Sequence, residues 1–246
     1  MAAAPALMPA CARARAAASP PSSTPRAATP AQAAAIPSVV RGAVSALEDN
    51  LGPQIFSKWE AKKWRHATTI LRNEFPKEWR DVKDLLSHFW LGRSEIVEPG
   101  KNKTAMSKRI DFFLYERGWA ERSFDVSITV DADIHPSPTY SIDCSRNRVG
   151  LEIEWNNKDP FFDRDLNNFR LLHSMEVLSV GIIVTRSSDL NELIKELGRW
   201  KSFGKSTTHM NKLRPKIEGG GAGGFPLLFL GITKGVYDAN ALANDF

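Results

Sequence analysis

Apolar and polar residues alternate over one short stretch near the middle of the chain. Residues 151–155 read Leu-Glu-Ile-Glu-Trp, and this alternation is typical of a half-buried β-strand. It places Glu152 and Glu154 on one face of the strand, roughly 7 Å apart at the usual rise per residue. A shorter apolar run that ends at Cys144 predicts a neighbouring strand, which carries Asp143.

Helical spacing of apolar residues dominates residues 41–90 and predicts three helices there. A Gly-Pro pair at position 52 ends the first helix, the second starts at Trp59, and Pro76 opens the third. We expect these helices either to form a subunit contact or to cover a sheet.

The rest of the chain combines strand and helix patterns. Predicted strands cover residues 110–114, 124–130, 140–144, 150–155, 177–185 and 225–232. The run 177–185 is nearly continuous in apolar residues, as in a central strand buried on both faces. Helices are predicted near Asp163 and Asp165, which have N-cap chemistry, and from residue 190. The order of elements predicts an α/β or α+β fold with a mixed sheet flanked by helices.

The first 36 residues differ from the rest in composition. They are rich in Ala, Pro and Ser, contain no acidic residue and lack apolar periodicity, so a disordered tail is predicted. A transit peptide and an upstream start codon both remain open as explanations. Residues 37–246 are then predicted to form one domain, which is large enough to bury a core.

Composition argues against a membrane-spanning protein and a disulfide-rich protein. It does not by itself indicate DNA binding, which would need a local cluster of basic residues. No apolar run approaches the roughly 20 residues that cross a membrane. Cys11 and Cys144 are too few for a disulfide framework and predict a reducing compartment, the cytoplasm. Three of the 33 basic residues are arginines of the tail, so the rest of the chain has 30 basic and 28 acidic residues and is almost neutral. Only a local basic cluster can therefore favour a polyanion partner.

Three carboxylates meet if the two central strands pair as neighbours. Asp143, Glu152 and Glu154 would then face one spot, where they repel each other unless a cation lies among them. A hard divalent cation with oxygen ligands, such as Mg²⁺, answers that need. The alternative is that the two glutamates form the solvent-exposed face of an ordinary strand. The five histidines do not have the spacing of zinc ligands.

A basic segment near the C-terminus is the best local candidate for contact with a polyanion. Residues 199–216 contain six basic and no acidic residues, and polar side chains between them can bond bases or phosphates. The candidate contacts are Arg199, Lys201, Ser202, Lys205, Ser206, Thr207, Thr208, His209 and Lys212. A basic surface loop without a ligand is the alternative.

A second basic loop is predicted over residues 95–109, from the turn-forming sequence Pro-Gly-Lys-Asn-Lys. Lys101 and Lys103 in it favour phosphate contact, although a solvated loop would have the same sequence. Glu95 and Glu98 are candidates for a further carboxylate at the metal site.

Two motifs resemble a known superfamily of nucleases. Asp143, eight intervening residues and Glu-x-Glu resemble the metal-binding motif of restriction-endonuclease-like nucleases, usually Asp…(Asp/Glu)-x-Lys. Residues 152–169, Glu-Ile-Glu-Trp-Asn-Asn-Lys-Asp-Pro-Phe-Phe-Asp-Arg-Asp-Leu-Asn-Asn-Phe, are similar to type II enzymes of the BglII and BstYI kind. The resemblance covers residues 108–234, which it implies to be the catalytic core. Glu154 stands where most of the superfamily has lysine, a replacement that resembles the all-carboxylate site of BamHI.

The resemblance implies a Mg²⁺-dependent phosphodiesterase that hydrolyses double-stranded DNA. Asp143, Glu152 and the backbone carbonyl of Ile153 would hold one or two Mg²⁺ ions. Glu154 would accept a proton from the attacking water or bind a second ion. Lys158 is expected to touch DNA rather than to replace the missing lysine.

The resemblance also implies a homodimer that cuts a palindrome with GATC at its centre. The helices of residues 41–90 are a candidate dimer contact, and a separate DNA methyltransferase is an expected partner. Two other functions stay open. One is a nuclease of the same fold with little sequence preference, in repair or recombination; the other is a DNA-binding protein without cleavage.

Overall fold

The computed structural model describes residues 47–98, 103–136 and 140–241. The strands in these ranges are β1 (Trp59–Trp64), β2 (Leu91–Gly92), β3 (Ala120–Phe124), β4 (Ser127–Val130), β5 (Asp133–Pro136), β6 (Tyr140–Arg146), β7 (Val149–Glu154), β8 (Val180–Arg186), β9 (Leu227–Ile232) and β10 (Tyr237–Asp238). The α-helices are α1 (Pro53–Lys58), α2 (Ala67–Glu74), α3 (Pro76–His88), α4 (Arg93–Val97), α5 (Ala105–Tyr115), α6 (Pro160–Ser174), α7 (Leu190–Glu196), α8 (Trp200–Phe203) and α9 (Met210–Glu218). Residues 47–51 are also helical.

A six-stranded mixed sheet forms the centre of the fold, in the order β1-β9-β8-β7-β6-β3. The three strands β7, β8 and β9 are parallel to one another. β1 runs antiparallel to β9, and β6 and β3 continue the other side of the sheet with antiparallel pairings. All residues of β7, β8 and β9 are buried, as parallel strands covered on both faces require. The predicted mixed sheet flanked by helices is confirmed.

Helices cover both faces of this sheet, and alternate residues of the central strands point into two separate layers. Ile182 and Val184 of β8 pack in one hydrophobic cluster, together with residues of α2, α3, α5 and α7. Ile183, which lies between them in the strand, packs in the other cluster with residues of α6 and α9. Both faces of the sheet are therefore covered by helices.

The glutamates of β7 belong to the layer that α6 covers. Leu151 and Ile153 of this strand pack in the first cluster, so Glu152 and Glu154 point to the opposite face. Their exposed fractions are only 3% and 2%. The expectation of a half-buried strand is wrong, because β7 lies inside the sheet and is covered on both faces. The alternative of a solvent-exposed glutamate face is excluded for the same reason.

Residues 59–64 form a strand, although helical spacing predicted a helix from Trp59. β1 pairs with β9 from Trp59 opposite Ile232 to Trp64 opposite Leu227. Pairing with a buried strand much later in the chain overrides the local helical pattern. The first predicted helix is present in its described part, residues 47–51, the remainder of the second is α2, and the third is α3.

The strand predicted at residues 110–114 is wrong, and the loop predicted at residues 95–109 is wrong at its two ends; its turn-forming residues 99–102 lie outside the described residues. α4 and most of α5 occupy these positions, and Thr104 caps α5 by accepting a hydrogen bond from the Ser107 backbone at 3.2 Å. The buried residues of α5 include Met106, Ile110 and Leu114, which recur at helical spacing. The short run Ile-Asp-Phe-Phe-Leu resembles a strand only when it is taken without the residues before it.

Smaller differences concern three other boundaries. The strand predicted at residues 124–130 is divided, because β4 pairs with β5 in a separate hairpin. α6 begins at Pro160, so Asp163 and Asp165 lie inside the helix and are not N-caps. The basic segment, residues 199–216, contains α8 and most of α9, and only residues 204–209 between them form a loop.

The predicted tail (residues 1–36) and Lys101 lie outside the described residues. Among the helices that the structure describes, none is long and apolar enough to span a membrane. The strands predicted at residues 140–144, 150–155, 177–185 and 225–232 are present as β6, β7, β8 and β9, with ends that differ by a few residues.

Candidate active site

The site begins where β6 leaves β7. The two strands pair from Arg146 and Val149 only as far as Cys144 and Leu151. In the gap beyond this pair, Asp143 Oδ2 accepts a hydrogen bond from the Ile153 backbone N–H at 3.0 Å. Because the N–H and C=O of one strand residue face the same edge, the Ile153 carbonyl also faces this gap. A carboxylate and a carbonyl oxygen are thus placed together.

Glu152 lies next to this gap with a carboxylate that is not fully satisfied. Its Oε1 is buried and has no hydrogen-bond partner among the described residues. Burial raises the pKa of Glu152 well above its usual value, and the nearby charges of Asp165 and Asp143 raise it further. The position therefore favours either a protonated carboxyl group or a carboxylate that a cation neutralises.

Glu154 has better-defined partners on the same face. Its Oε2 accepts a hydrogen bond from Asn157 Nδ2 at 2.7 Å, and its Oε1 lies 3.4 Å from Arg164 Nη2. Burial is the main cause that raises the pKa of Glu154 to about 9, and the charge of Asp165 adds to it. Without a bound cation, Glu154 is therefore protonated at neutral pH.

Asp165 is a fourth acid of the site, which the sequence interpretation assigned to a helix cap. It is fully buried in α6, and its Oδ1 accepts hydrogen bonds from Arg164 at 2.8 and 2.9 Å. Its Oδ2 has no partner in the described part of the chain. The helical spacing of buried Phe162 and Phe169 places Asp165 on their inward face, so this periodicity could have identified it.

Lys103 is the cation closest to Asp143 in the structure. Its Nζ lies 3.1 Å from Asp143 Oδ1 and 2.6 Å from Asp111 Oδ2. Burial lowers the pKa of Lys103, but the contacts with Asp111 and Asp143 outweigh burial and raise it. Asp111 is itself a buried acid of α5, and the strand predicted over its position gave no reason to connect it with the site.

Two cavities join these groups to solvent. The larger has a volume of about 460 Å³ and its lining includes Lys103, Asp143, Glu154, Asn157 and Arg164. The smaller, of about 260 Å³, is lined by Glu121, Ser141, Asp143, Glu152, Arg164 and Asn168. Asp143 borders both cavities, so a ligand in either can reach its carboxylate. Glu95 lines neither cavity, because its carboxylate is paired with Arg109 at 3.0 Å, and Glu98 lines neither as well.

The donor chemistry of this site fits a divalent metal ion. Within residues 47–98, 103–136 and 140–241, no three His, Cys, Asp or Glu side chains are already arranged to hold one. However, buried oxygens of Glu152 and Asp165 lack partners, and hard oxygen donors are the ligands that Mg²⁺ prefers. Asp143, Glu152 and the Ile153 carbonyl are the groups that would hold it.

The comparison with protein families decides the identity of the chain. A family model described as Restriction endonuclease BglII/BglIII matches residues 59–232. The chain belongs to this family. A search of curated protein sequences finds no match.

Membership in the BglII/BglIII family establishes the class of reaction. The protein is a restriction endonuclease, that is, a site-specific deoxyribonuclease and hydrolase that binds DNA. Enzymes of this family generally use divalent metal ions. The resemblance and the enzyme class predicted from the sequence are thereby confirmed.

The predicted DNA-contacting segment of this restriction endonuclease lies beside the end of β7. Residues 157–159, which follow β7, pair with residues 206–208 in a short antiparallel arrangement, which we call the clip. In it Lys158 pairs with Thr207, the Asp159 N–H donates to the Ser206 carbonyl at 3.1 Å, and the Thr208 N–H donates to the Asn157 carbonyl at 2.9 Å. The structure thus brings the basic segment to the exit of the strand that carries Glu152 and Glu154.

Side chains of this segment fall into an exposed and a buried group. The exposed group consists of Lys158, Lys201, Ser202, Lys205 and Ser206, while Arg199 and Lys212 are partly exposed. Thr207, Thr208 and His209 are buried, so the expectation that their side chains contact a ligand needs correction. Lys212 lies 3.1 Å from Asp159 Oδ2.

A buried arginine holds the buried group in place. Arg186, at the end of β8, is fully buried and donates to Thr207 Oγ1 at 2.8 Å and to the Phe203 carbonyl at 2.7 Å. Burial lowers its pKa to about 10. Burial, followed by the charges of Arg186 and Lys212, lowers the pKa of His209 to about 4. Arg186 therefore holds the buried side of the segment through hydrogen bonds to uncharged acceptors.

Because burial raises the pKa of Glu154, we expect the metal-free protein to lose stability as the pH rises. The folded state keeps a proton on Glu154 up to a pKa of about 9, whereas the unfolded chain releases it near the usual glutamate pKa of 4.5. Because the folded state binds more protons in this window, the free energy of unfolding falls between about pH 5 and pH 9. In EDTA we expect the melting temperature to fall by about 5 °C or more.

The Glu154→Gln variant is the control, because glutamine cannot lose a proton. Its melting temperature should depend less on pH, with the remaining slope caused by the other buried acids whose pKa values burial raises, Glu152, Asp165 and Asp111. Adding Mg²⁺ at pH 8 should raise the melting temperature of the wild-type protein, because binding stabilises the folded state. A wild-type melting temperature that rises from pH 5 to pH 9 in EDTA would contradict this account.

Proposed function

We propose that this restriction endonuclease hydrolyses double-stranded DNA with one or two Mg²⁺ ions held by Asp143, Glu152 and the Ile153 carbonyl. One observation carries the proposal: the Asp143 carboxylate enters the gap between β6 and β7, beside a buried Glu152 oxygen without a partner. When bound, Mg²⁺ neutralises charge on the scissile phosphate and lowers the pKa of the attacking water.

In this proposal, Glu154 acts on the attacking water or binds a second ion. Asn157 orients its carboxylate through the 2.7 Å hydrogen bond, and Arg164 balances the charge of Glu154 and Asp165. Once a cation neutralises the neighbouring carboxylates, Glu154 can lose its proton and accept one from water. Glu154 replaces the superfamily's lysine in position but not in charge.

We further propose that Lys158 and the exposed part of the basic segment contact DNA. The proposed contacts are Lys158, Arg199, Lys201, Ser202, Lys205, Ser206 and Lys212. Phosphate contacts by these side chains supply affinity, and polar contacts to base edges supply sequence preference. Thr207, Thr208 and His209 support this surface from below instead of touching DNA.

The protein is proposed to act as a cytoplasmic homodimer on a palindrome with GATC at its centre. One active site per chain cuts one strand, and a two-fold protein matches a two-fold site on DNA. A separate DNA methyltransferase would then protect the same sequence in the host. The centre of the palindrome is carried by the resemblance to the BglII and BstYI kind.

Digestion of one plasmid tests this function. With Mg²⁺ we expect discrete bands, staggered 5′ ends around GATC in sequenced products, and a dimer of the 27.3 kDa chain in sedimentation. Smeared products would favour the nuclease with little sequence preference, and salt-sensitive DNA binding without any cut would favour the binding protein. Dimers that cut an unrelated palindrome would remove only the assignment of GATC.

A further inference from the structure

A lysine far from the metal-binding motif reaches the cavity of the active site. Lys103 lies just before α5, and its Nζ contacts Asp143 Oδ1 at 3.1 Å. Its side chain is about one third exposed, at 32%, and it lines the 460 Å³ cavity together with Glu154. An ammonium group therefore borders the space in which the reacting phosphate of the substrate would lie.

Asp111 fixes the position of this ammonium group. It is buried in α5 with an exposed fraction of 5%, and its Oδ2 lies 2.6 Å from Lys103 Nζ. Its Oδ1 accepts a hydrogen bond from Cys144 Sγ at 3.5 Å. A buried carboxylate is costly unless it is paired, and Lys103 is its ion-pair partner among the residues that the structure describes.

The same helix is also bonded to β6, the strand that carries Asp143. Tyr115, at the end of α5, donates a hydrogen bond from its hydroxyl to the Asp143 carbonyl at 3.1 Å. Asp111 and Tyr115 are four residues apart and therefore lie on one face of the helix. The distance between Lys103 and Asp143 is thus set by α5 and β6 together.

The number of donors on Lys103 leaves one for a substrate. An ammonium group has three N–H donors, and the carboxylates of Asp111 and Asp143 use two of them. The third is available on the side of the cavity that Lys103 lines. A phosphate oxygen is the anionic acceptor that a DNA substrate brings there.

We propose that Lys103 is a catalytic residue that binds the scissile phosphate and that Asp111 is the residue that positions it. Lys103, from a different part of the chain, then supplies the positive charge that the motif lacks because Glu154 stands in place of the usual lysine. It donates its remaining hydrogen bond to a phosphate oxygen, whose negative charge increases in the transition state, and it transfers no proton. This inference rests on the proposed function, because it takes the scissile phosphate to lie in this cavity.

Single-turnover cleavage with saturating Mg²⁺ tests the role of the charge. Lys103→Met should slow cleavage by about a hundredfold to a thousandfold, and Lys103→Arg should retain more activity because it keeps the charge. Lys234→Met is the matched control, since it removes a surface lysine that pairs with Glu192 at 3.0 Å. Its rate should stay within about twofold of the wild-type rate.

The double variant tests the role of Asp111. Asp111→Asn should slow cleavage by about tenfold, because Lys103 loses the partner that orients it. If Asp111 acts only through Lys103, then the Lys103→Met/Asp111→Asn variant should cleave no more slowly than Lys103→Met. Fully additive losses would show that Asp111 does not act as a positioning residue for Lys103.

A neutral phosphate analogue separates a phosphate contact from a structural role. Duplexes carry the sequence found at the cut ends, with either a phosphate or an uncharged methylphosphonate at the scissile position, and binding is measured with Ca²⁺ in place of Mg²⁺. The wild-type protein should prefer the phosphate duplex, and Lys103→Met should reduce this preference by about tenfold. Lys103→Arg should keep most of the preference.

The outcomes distinguish this inference from the proposed metal site. Wild-type cleavage by Lys103→Met, or an unchanged preference for the phosphate duplex, would overturn the role of Lys103 while leaving the metal site intact. Normal Mg²⁺-dependent cleavage by a Glu152→Gln variant would instead overturn the metal site. If Lys103→Met does not fold, the methylphosphonate comparison is made with Asp111→Asn, which should also lose part of the preference; an unchanged preference in that variant would overturn the inference.

Discussion

Replacing Glu152 by glutamine is expected to slow DNA cleavage by about a thousandfold or more, while DNA binding with Ca²⁺ persists. Glutamine keeps the volume of the side chain in a position that is only 3% exposed, but it removes the negative charge beside Asp143. The remaining carboxylates then hold a divalent ion less well. In the proposed function, binding depends instead on the basic segment, whose residues are separate from Glu152. Single-turnover cleavage with Mg²⁺ and filter binding with Ca²⁺ measure the two effects.

Two controls show whether the loss comes from the metal site. Asp163→Asn removes an exposed acid of α6 that pairs with Lys216 at 2.6 Å, and its rate should stay within about twofold of the wild-type rate. Glu152→Gln should not lower the melting temperature in EDTA, because burial already favours the uncharged form of Glu152. A Glu152→Gln variant that cuts normally with Mg²⁺ would show that the metal site is assigned to the wrong residue.

Replacing Glu154 by lysine is expected to reduce cleavage by about a hundredfold or more, although it introduces the residue usual in the superfamily. Hydrogen-bond donors lie around Glu154, so this position suits an acceptor. Asn157 Nδ2 donates to it at 2.7 Å, and Arg164 Nη2 lies 3.4 Å away. A buried ammonium group has no lone pair for Asn157 and would repel Arg164. Single-turnover cleavage and the melting temperature should both decrease.

The Glu154→Gln variant separates the charge of this position from its packing. Glutamine can still accept the hydrogen bond from Asn157, so the melting temperature should be retained while cleavage decreases. If Glu154→Lys cleaved DNA at the wild-type rate, then Glu154 would have no role that requires an acid. The lysine-based chemistry of the superfamily would in that case operate in this protein without further change.

Local patterns predicted the part of the site that lies on adjacent strands. Asp143, Glu152 and Glu154 are found on β6 and β7 because alternation and short apolar runs report strand faces directly. The same pattern suggested that β7 is half-exposed, which is wrong. Burial of its second face depends on α6, and two-residue alternation contains no information about a covering helix.

Contacts between distant parts of the chain were not predictable in this way. Lys103 and Asp143 are separated by 40 residues, and Asp111, which the prediction placed in a strand, lies in α5. β1 was assigned to a helix because its partner β9 comes much later in the chain. Asp165 was assigned to a cap because the start of α6 was placed a few residues too late. Element boundaries and long-range pairing, rather than residue chemistry, caused these errors.

The clip has a consequence for how sequence preference can change in this family. The Thr208 N–H holds the Asn157 carbonyl, and the Asn157 side chain holds Glu154. In the proposed function, a backbone shift at residues 206–208 would therefore move the Glu154 carboxylate as well as the surface that faces DNA. Exchanging side chains that project from the clip, such as Ser206, would then change the DNA contacts without this shift, whereas remodelling its main chain would displace Glu154. The same linkage would couple DNA binding to cleavage, because a DNA sequence that displaces the clip would also displace Glu154.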